Sequence, residues 1–194
     1  RVSTRMQLLI GLTLAGLLIL CIIALMQFRD GMLEDRKEKT KNLVEVSLGV
    51  LEYHHKLAQG GKLSDEEAKQ AAKESLRNVR FGANDYYFIL DTNHVYVLLP
   101  PRTEFEGQNK GDMKDANGKL LFLEFNKVVR AQGAGFVDYL WPKPGAANND
   151  GVPKISYVAG FQPWGWVIGS GIYIDDVDAA FRRDGVMGSI VENT

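Results

Sequence analysis

The sequence predicts an α+β protein: an N-terminal transmembrane helix and a long membrane-proximal helix packed on a five-stranded antiparallel sheet. Three observations predict it. An uncharged apolar run spans Leu8 to Met26, helical spacing of apolar residues follows without proline as far as Gln59, and β-type segments separated by turn residues fill the chain after Arg80.

Taken in order, the first element is the apolar run. A helix needs roughly 20 such residues to cross the hydrocarbon core, and this run is just long enough. Arg1 and Arg5 precede it, while Arg29, Asp30, Glu34 and Asp35 follow with mixed sign, so the positive-inside tendency puts the N-terminus on the cytoplasmic side. A cleaved signal peptide would have a shorter apolar core, about 7–15 residues, and a small-residue cleavage site. Leu25-Met26-Gln27-Phe28 offers none. The expected divisions are a cytoplasmic stub at 1–7, a transmembrane helix at 8–28, a long helix at 29–60, a globular domain at 61–180 and, at 181–194, a truncated lead into a second membrane helix or an unrelated tail. The chain starts at Arg1 rather than a methionine and reads as a fragment.

From Arg29 to Gln59 the apolar positions Met32, Leu33, Leu43, Val44, Leu48, Leu51 and Leu57 recur at helical spacing, and Gly60-Gly61 ends the helix. Ser64-Asp65-Glu66-Glu67 caps a second helix running to about Asn78, with acidic residues where the helix dipole favours them. Tyr86–Leu90 and Val95–Leu99, joined by the turn Asp91-Thr92-Asn93, form a hairpin. Pro100 to Gly118 is a long loop, and Leu120 to Gln132 is helical, with Leu121, Phe122, Phe125, Val128 and Val129 on one face. Phe136–Trp141, Ile155–Phe161 and Trp164–Ile174 complete the sheet, and a short helix follows at Val177–Arg183.

Composition excludes several classes. The formal net charge of -1 gives no basic face for nucleic acid. The single cysteine, Cys21, excludes a disulfide framework and any multi-thiolate zinc site. His54 and His55 are adjacent on a helix and point apart; with His94 isolated, all three read as solvated. No Gly-x-Ser-x-Gly elbow is present. Asp175-Asp176, between the last strand and the last helix, reads as a helix cap or hinge. No enzyme activity, cofactor or metal is expected.

The order of several motifs then matters: Asp85-Tyr86-Tyr87-Phe88-Ile89, Asp115-Ala116-Asn117-Gly118, Gly135 to Gly145 (GFVDYLWPKPG), Lys154-Ile155-Ser156-Tyr157-Val158, and Trp164 to Asp176 (WGWVIGSGIYIDD). Over the last three-quarters of the chain they resemble the single Cache sensor domain of bacterial chemoreceptors and sensor kinases. Two positions depart from that pattern: Phe88 stands where a tryptophan is frequent, and Leu99 where a histidine often precedes the proline.

The resemblance implies a PAS-like sheet and an extracytoplasmic domain in the inner membrane. It also implies a parallel homodimer through the long helix, a cytoplasmic signalling module beyond this chain, and a small organic acid as ligand (acetate, propionate, lactate or pyruvate). A receptor of the methyl-accepting type leads; a histidine kinase or cyclase, or a module recognising a periplasmic binding protein, are the alternatives. A small carboxylate must be held by charge-assisted hydrogen bonds in a partly dry pocket. The candidate donors are Lys154, Arg102, Tyr139, Tyr157 and Tyr87, with Trp141 and Phe88 as apolar wall. Each has a plainer reading. Lys154, after Pro153, is equally a solvated edge lysine; buried, it would need a carboxylate partner. Arg102 is equally a surface cation, and the aromatic residues are equally core. Gly165, Gly169 and Gly171 read as close-packing positions in the last strand.

Overall fold

The computed structural model describes residues 2–82, 84–146 and 151–184. Helix α1 runs unbroken from Val2 to Gln59, about 87 Å at 1.5 Å per residue. The apolar run and the membrane-proximal helix are therefore one rod. The crowded charges of its middle do not interrupt it, because they pair along the helix: Glu34 with Lys37, and Asp35 with Lys39. In the apolar part large side chains lie open all round, Leu8, Leu12 and Leu18 among them. From Thr40 onward one face is buried, with Val44, Ser47 and Leu51 against the sheet.

Gly60 and Gly61 end α1 and turn the chain into α2 (Asp65–Arg77). The expected capping box is present: Ser64 Oγ accepts from Glu67 N–H, and the Glu67 carboxylate accepts from Ser64 N–H. Ala68, Ala72 and Leu76 make the buried stripe.

The sheet has the order β2-β1-β5-β4-β3, antiparallel throughout. Its strands are β1 (Phe88–Asp91), β2 (Tyr96–Leu98), β3 (Ala134–Trp141), β4 (Val152–Phe161) and β5 (Trp166–Tyr173). Asp91 Oδ1 accepts from the N–H groups of Asn93 and Val95, tying the β1–β2 turn. Trp164 belongs to a short 3-10 turn, not to a strand as expected; Gly165, in the left-handed conformation, closes that turn. Gly169 and Gly171 do serve close packing. A Cβ on Gly169 would meet the Phe88 ring at 2.5 Å and the Tyr157 carbonyl at 2.9 Å.

Alternation divides the side chains between two cores. Tyr87, Ile89, Ala159, Phe161 and Ile168 face α1 and α2. Tyr86, Phe88, Val158, Tyr139, Trp141 and Tyr173 face α3 (Leu121–Gln132) and the long loop preceding it. That loop is held by Asp115, whose carboxylate accepts from the N–H groups of Asn117, Lys119 and Leu140. It is also held by a bidentate Arg77–Glu106 pair.

The last strand passes directly into α4 (Ile174–Asp184). Asp175 and Asp176 occupy its first turn, so they are not a hinge before it; Lys143 bridges both at 2.8 and 2.7 Å. The expectation for Gly185–Thr194 lies outside the described residues. His54 and His55, expected to be solvated, are half-buried and partly engaged. His54 Nε2 meets Ser75 Oγ at 3.1 Å, and His55 packs edge-on against Phe161 and Trp164.

Candidate functional site

On the α3 face the sheet carries a small cavity lined by Tyr86, Phe88, Tyr96, Leu99, Leu121, Phe125, Tyr139 and Trp141. It offers about 10 Å³ to the centre of a water molecule, room for about one water. Phe88 stacks on Phe125 at 5.6 Å, Phe125 meets Tyr139 edge-on at 5.3 Å, and Tyr139 meets Trp141 at 6.2 Å.

The polar end of this cluster centres on the Tyr86 hydroxyl, which accepts from Lys154 Nζ and from Trp141 Nε1, both at 3.1 Å. Lys154 projects inward from β4 with 1% of its surface exposed, which corrects the edge-lysine reading. Proline at the preceding position removes one N–H, but β4 is an interior strand whose even-numbered side chains face the core. The ammonium lies 4.4 Å from the Tyr86 ring centre and 4.6 Å from that of Tyr173. Among the described residues no carboxylate stands within 4.0 Å of it. Its close contacts are a hydroxyl and two ring faces, and the buried Asp85 carboxyl attracts it from farther away.

The neighbouring hydroxyls are arranged as neutral donors. Tyr139 and Ser156 share a hydrogen bond at 2.9 Å, and Tyr173 donates to the Pro142 carbonyl at 3.0 Å. Burial pushes Tyr139, Tyr173 and Tyr96 well above the usual tyrosine range, so each keeps its proton. A protonated phenol donates a hydrogen bond to an anion and brings no charge that would repel it.

The structure brings together Phe88, Tyr139, Trp141 and Lys154. It separates Tyr87 and Tyr157 from them. Tyr87 points to α1, where its hydroxyl donates to the Leu43 carbonyl at 3.0 Å, and Tyr157 packs on Phe136 on that same side. Arg102 sits outside the cavity on a 3-10 turn, 5.4 Å from the Phe105 ring. It lines a shallow cleft that shares Trp141 with the interior. Tyr86, Ser156 and Tyr173 were not singled out from the sequence. Parity was the available signal for two of them: Tyr86 is two residues from Phe88, and Ser156 two from Lys154.

A helix-backed antiparallel sheet with a small aromatic cavity beside a buried ammonium defines a small α+β module. The chain belongs to the Single Cache domain 2 family, whose model matches residues 32–184. It is 37% identical to the methyl-accepting chemotaxis protein McpP of Pseudomonas putida over 182 residues, 94% of this chain and 33% of that protein. The chain therefore spans about a third of the length of that curated relative. A solved periplasmic sensor domain of a chemotaxis protein superposes with a TM-score of 0.72 at 46% identity, covering 74% of this chain and 99% of that one. A Cache chemosensory domain solved for the structural basis of carboxylic acid recognition gives 0.71 at 38% identity, covering 75% and 98%. These similarities are to sensory proteins and show no catalytic family.

Proposed function

We propose that this chain is the ligand-sensing input of a transmembrane chemoreceptor. On this reading α1 crosses the membrane and the sheet lies on its outer side, where it binds a C2–C4 monocarboxylate. The observation that carries the ligand class is the buried Lys154 ammonium, which has no carboxylate within 4.0 Å among the described residues. Taking a charge out of water costs several kcal/mol, and the cost is offset best by a desolvated counter-charge. A carboxylate placed against Lys154 would accept hydrogen bonds from its N–H groups and from the O–H groups of the tyrosines, while Phe88, Leu99, Leu121 and Phe125 face a short aliphatic tail. The likeness to a domain solved for carboxylic acid recognition supports this reading.

Room for about one water is too little for such an acid, so binding requires the covering loop and α3 to move outward. A ligand that binds only the opened arrangement shifts the population toward it. Two copies would meet through α1, where Val46 and Tyr53 are 67% and 61% exposed and seven residues apart. The extended membrane-side segment of α1, with its large apolar side chains open on every side, supports insertion in lipid.

Thermal-shift titration of the full chain in detergent micelles tests the proposal. Acetate, propionate, lactate and pyruvate should include at least one acid that raises the melting temperature saturably, following RT ln(1 + [L]/Kd). Absence of any saturable shift from these acids would remove the carboxylate reading and leave recognition of a protein partner as the alternative.

A further inference from the structure

A second cavity lies on the opposite side of the sheet, between α1 and the segment leading into β1. It measures about 390 Å³ and is lined by Met32, Arg36, Leu43, Phe81, Asp85 and Ile172, among others. Two of its polar groups, Asp85 and Arg36, attract one another across the cavity but make no side-chain hydrogen bond or close ion pair among the described residues. Asp85 is 7% exposed, and its carboxyl accepts no hydrogen bond among the described residues. Gly82, at a φ of 53°, leaves space for that carboxyl; a Cβ there would lie 2.7 Å from Asp85 Oδ2. Across the groove, the half-buried Arg36 guanidinium makes neither an ion pair nor a hydrogen bond among the described residues. Asp35 and Lys39, also on the rim, already satisfy one another at 2.6 Å. Thr40 bonds its own helix through the Arg36 carbonyl.

A largely buried carboxylate and a half-buried guanidinium, neither hydrogen-bonded to the protein among the described residues, can both be satisfied by one ligand. The walls between them are aliphatic and aromatic. From this geometry we infer a second binding site, distinct from the aromatic cavity, for a small amphiphilic zwitterion. Its primary ammonium meets Asp85, its acidic group meets Arg36, and a short aliphatic body covers Met32, Leu43 and Ile172. Arg36 is eight residues beyond Phe28, about 12 Å along the helix, so the same chemistry is available from a free amino acid or from a phosphatidylethanolamine headgroup. The site does not depend on the nature of the acid held at Lys154.

The test uses the full chain in phosphatidylcholine nanodiscs, whose quaternary ammonium has no N–H to offer Asp85. L-Valine is titrated beside isovalerate, which lacks the amine, and isobutylamine, which lacks the carboxylate, with equilibrium dialysis and melting temperature as readouts. Valine should bind saturably and about tenfold or more tighter than either fragment. Arg36→Gln and Asp85→Asn should each weaken it about tenfold or more, the loss of one charge-assisted hydrogen bond. A fall in apparent valine affinity in phosphatidylethanolamine nanodiscs would identify the headgroup as occupant, and an unchanged affinity a soluble ligand; both support the site. Absence of saturable valine binding in phosphatidylcholine overturns it. So does binding that survives both groove variants.

Discussion

Replacing Lys154 by methionine separates a ligand-binding role from a structural one. In the unliganded protein the ammonium is fully buried, and the desolvation penalty for such an ion is several kcal/mol. Against this stand one charged hydrogen bond to Tyr86, about 1.5–3 kcal/mol, and two ring contacts of about 0.5–2 kcal/mol each. The opposing contributions are of similar size, and methionine fills nearly the same volume. Lys154→Met should therefore change the stability of the free protein by less than about 2 kcal/mol, a shift of a few degrees for a chain of this length. Binding is different. Deleting one partner of a buried charge pair costs about 2–5 kcal/mol, so affinity for the stabilising acid should fall by about 30-fold to several thousand-fold. Thermal denaturation with and without the acid measures both. A variant that unfolds many degrees early yet keeps the acid-induced shift would refute the reasoning, because Lys154 would then be a structural residue.

Tyr86→Phe removes the acceptor shared by Lys154 and Trp141 and strands two buried donors. It should destabilise the free protein by about 2–4 kcal/mol, measured by urea denaturation. For Asp85, burial outweighs the attraction of Lys154 and pushes the carboxyl up to about 6. The folded state therefore holds this proton more tightly than the unfolded state, whose aspartate titrates near 3.9. The stability contribution is present in full below about pH 4 and is lost as pH rises through about 6. Asp85→Asn should match the parent at pH 4 and exceed it by on the order of 3 kcal/mol at pH 7, read from melting curves across that range. Ser64→Ala should cost about 0.5–2 kcal/mol through loss of the α2 cap, with circular dichroism following the melt.

The elements were largely legible in the sequence because each carries a local signal. The apolar run, the Ser64 capping box, the Asp91 turn and the glycine-bounded α3 segment need no tertiary information. The side chains of the cavity were harder to read. Strand β5 and the region around β1 are buried on both faces, so they read as unbroken apolar runs without a visible phase. Tyr87 was preferred over Tyr86 for that reason. Adjacent strand residues cannot share a face, and neither can residues three apart, so Tyr87 beside Phe88 and Tyr157 beside Lys154 were incompatible pairs. Burial of Lys154 was illegible for another reason: Pro153 suggests an edge, and only the pairing of β4 with both β3 and β5 places it inside. The continuity of α1 from Val2 to Gln59 follows from the absence of proline, with Gly11, Gly16, Gly31 and Gly49 tolerated within it.

The seam between β5 and α4 has no slack. Tyr173, whose ring lies over the Lys154 ammonium, is the final strand residue, and Ile174 opens the helix. Farther along α4, Asp178 is tied to Arg29 at 2.8 Å, and Phe181 rests on Phe28 at 6.0 Å. Whatever tilts that ring must drag the helix along, and the helix leans on α1 where its long apolar stem begins. Displacement inside the domain thus reaches that stem through a stiff lever, with no hinge along the way to absorb it.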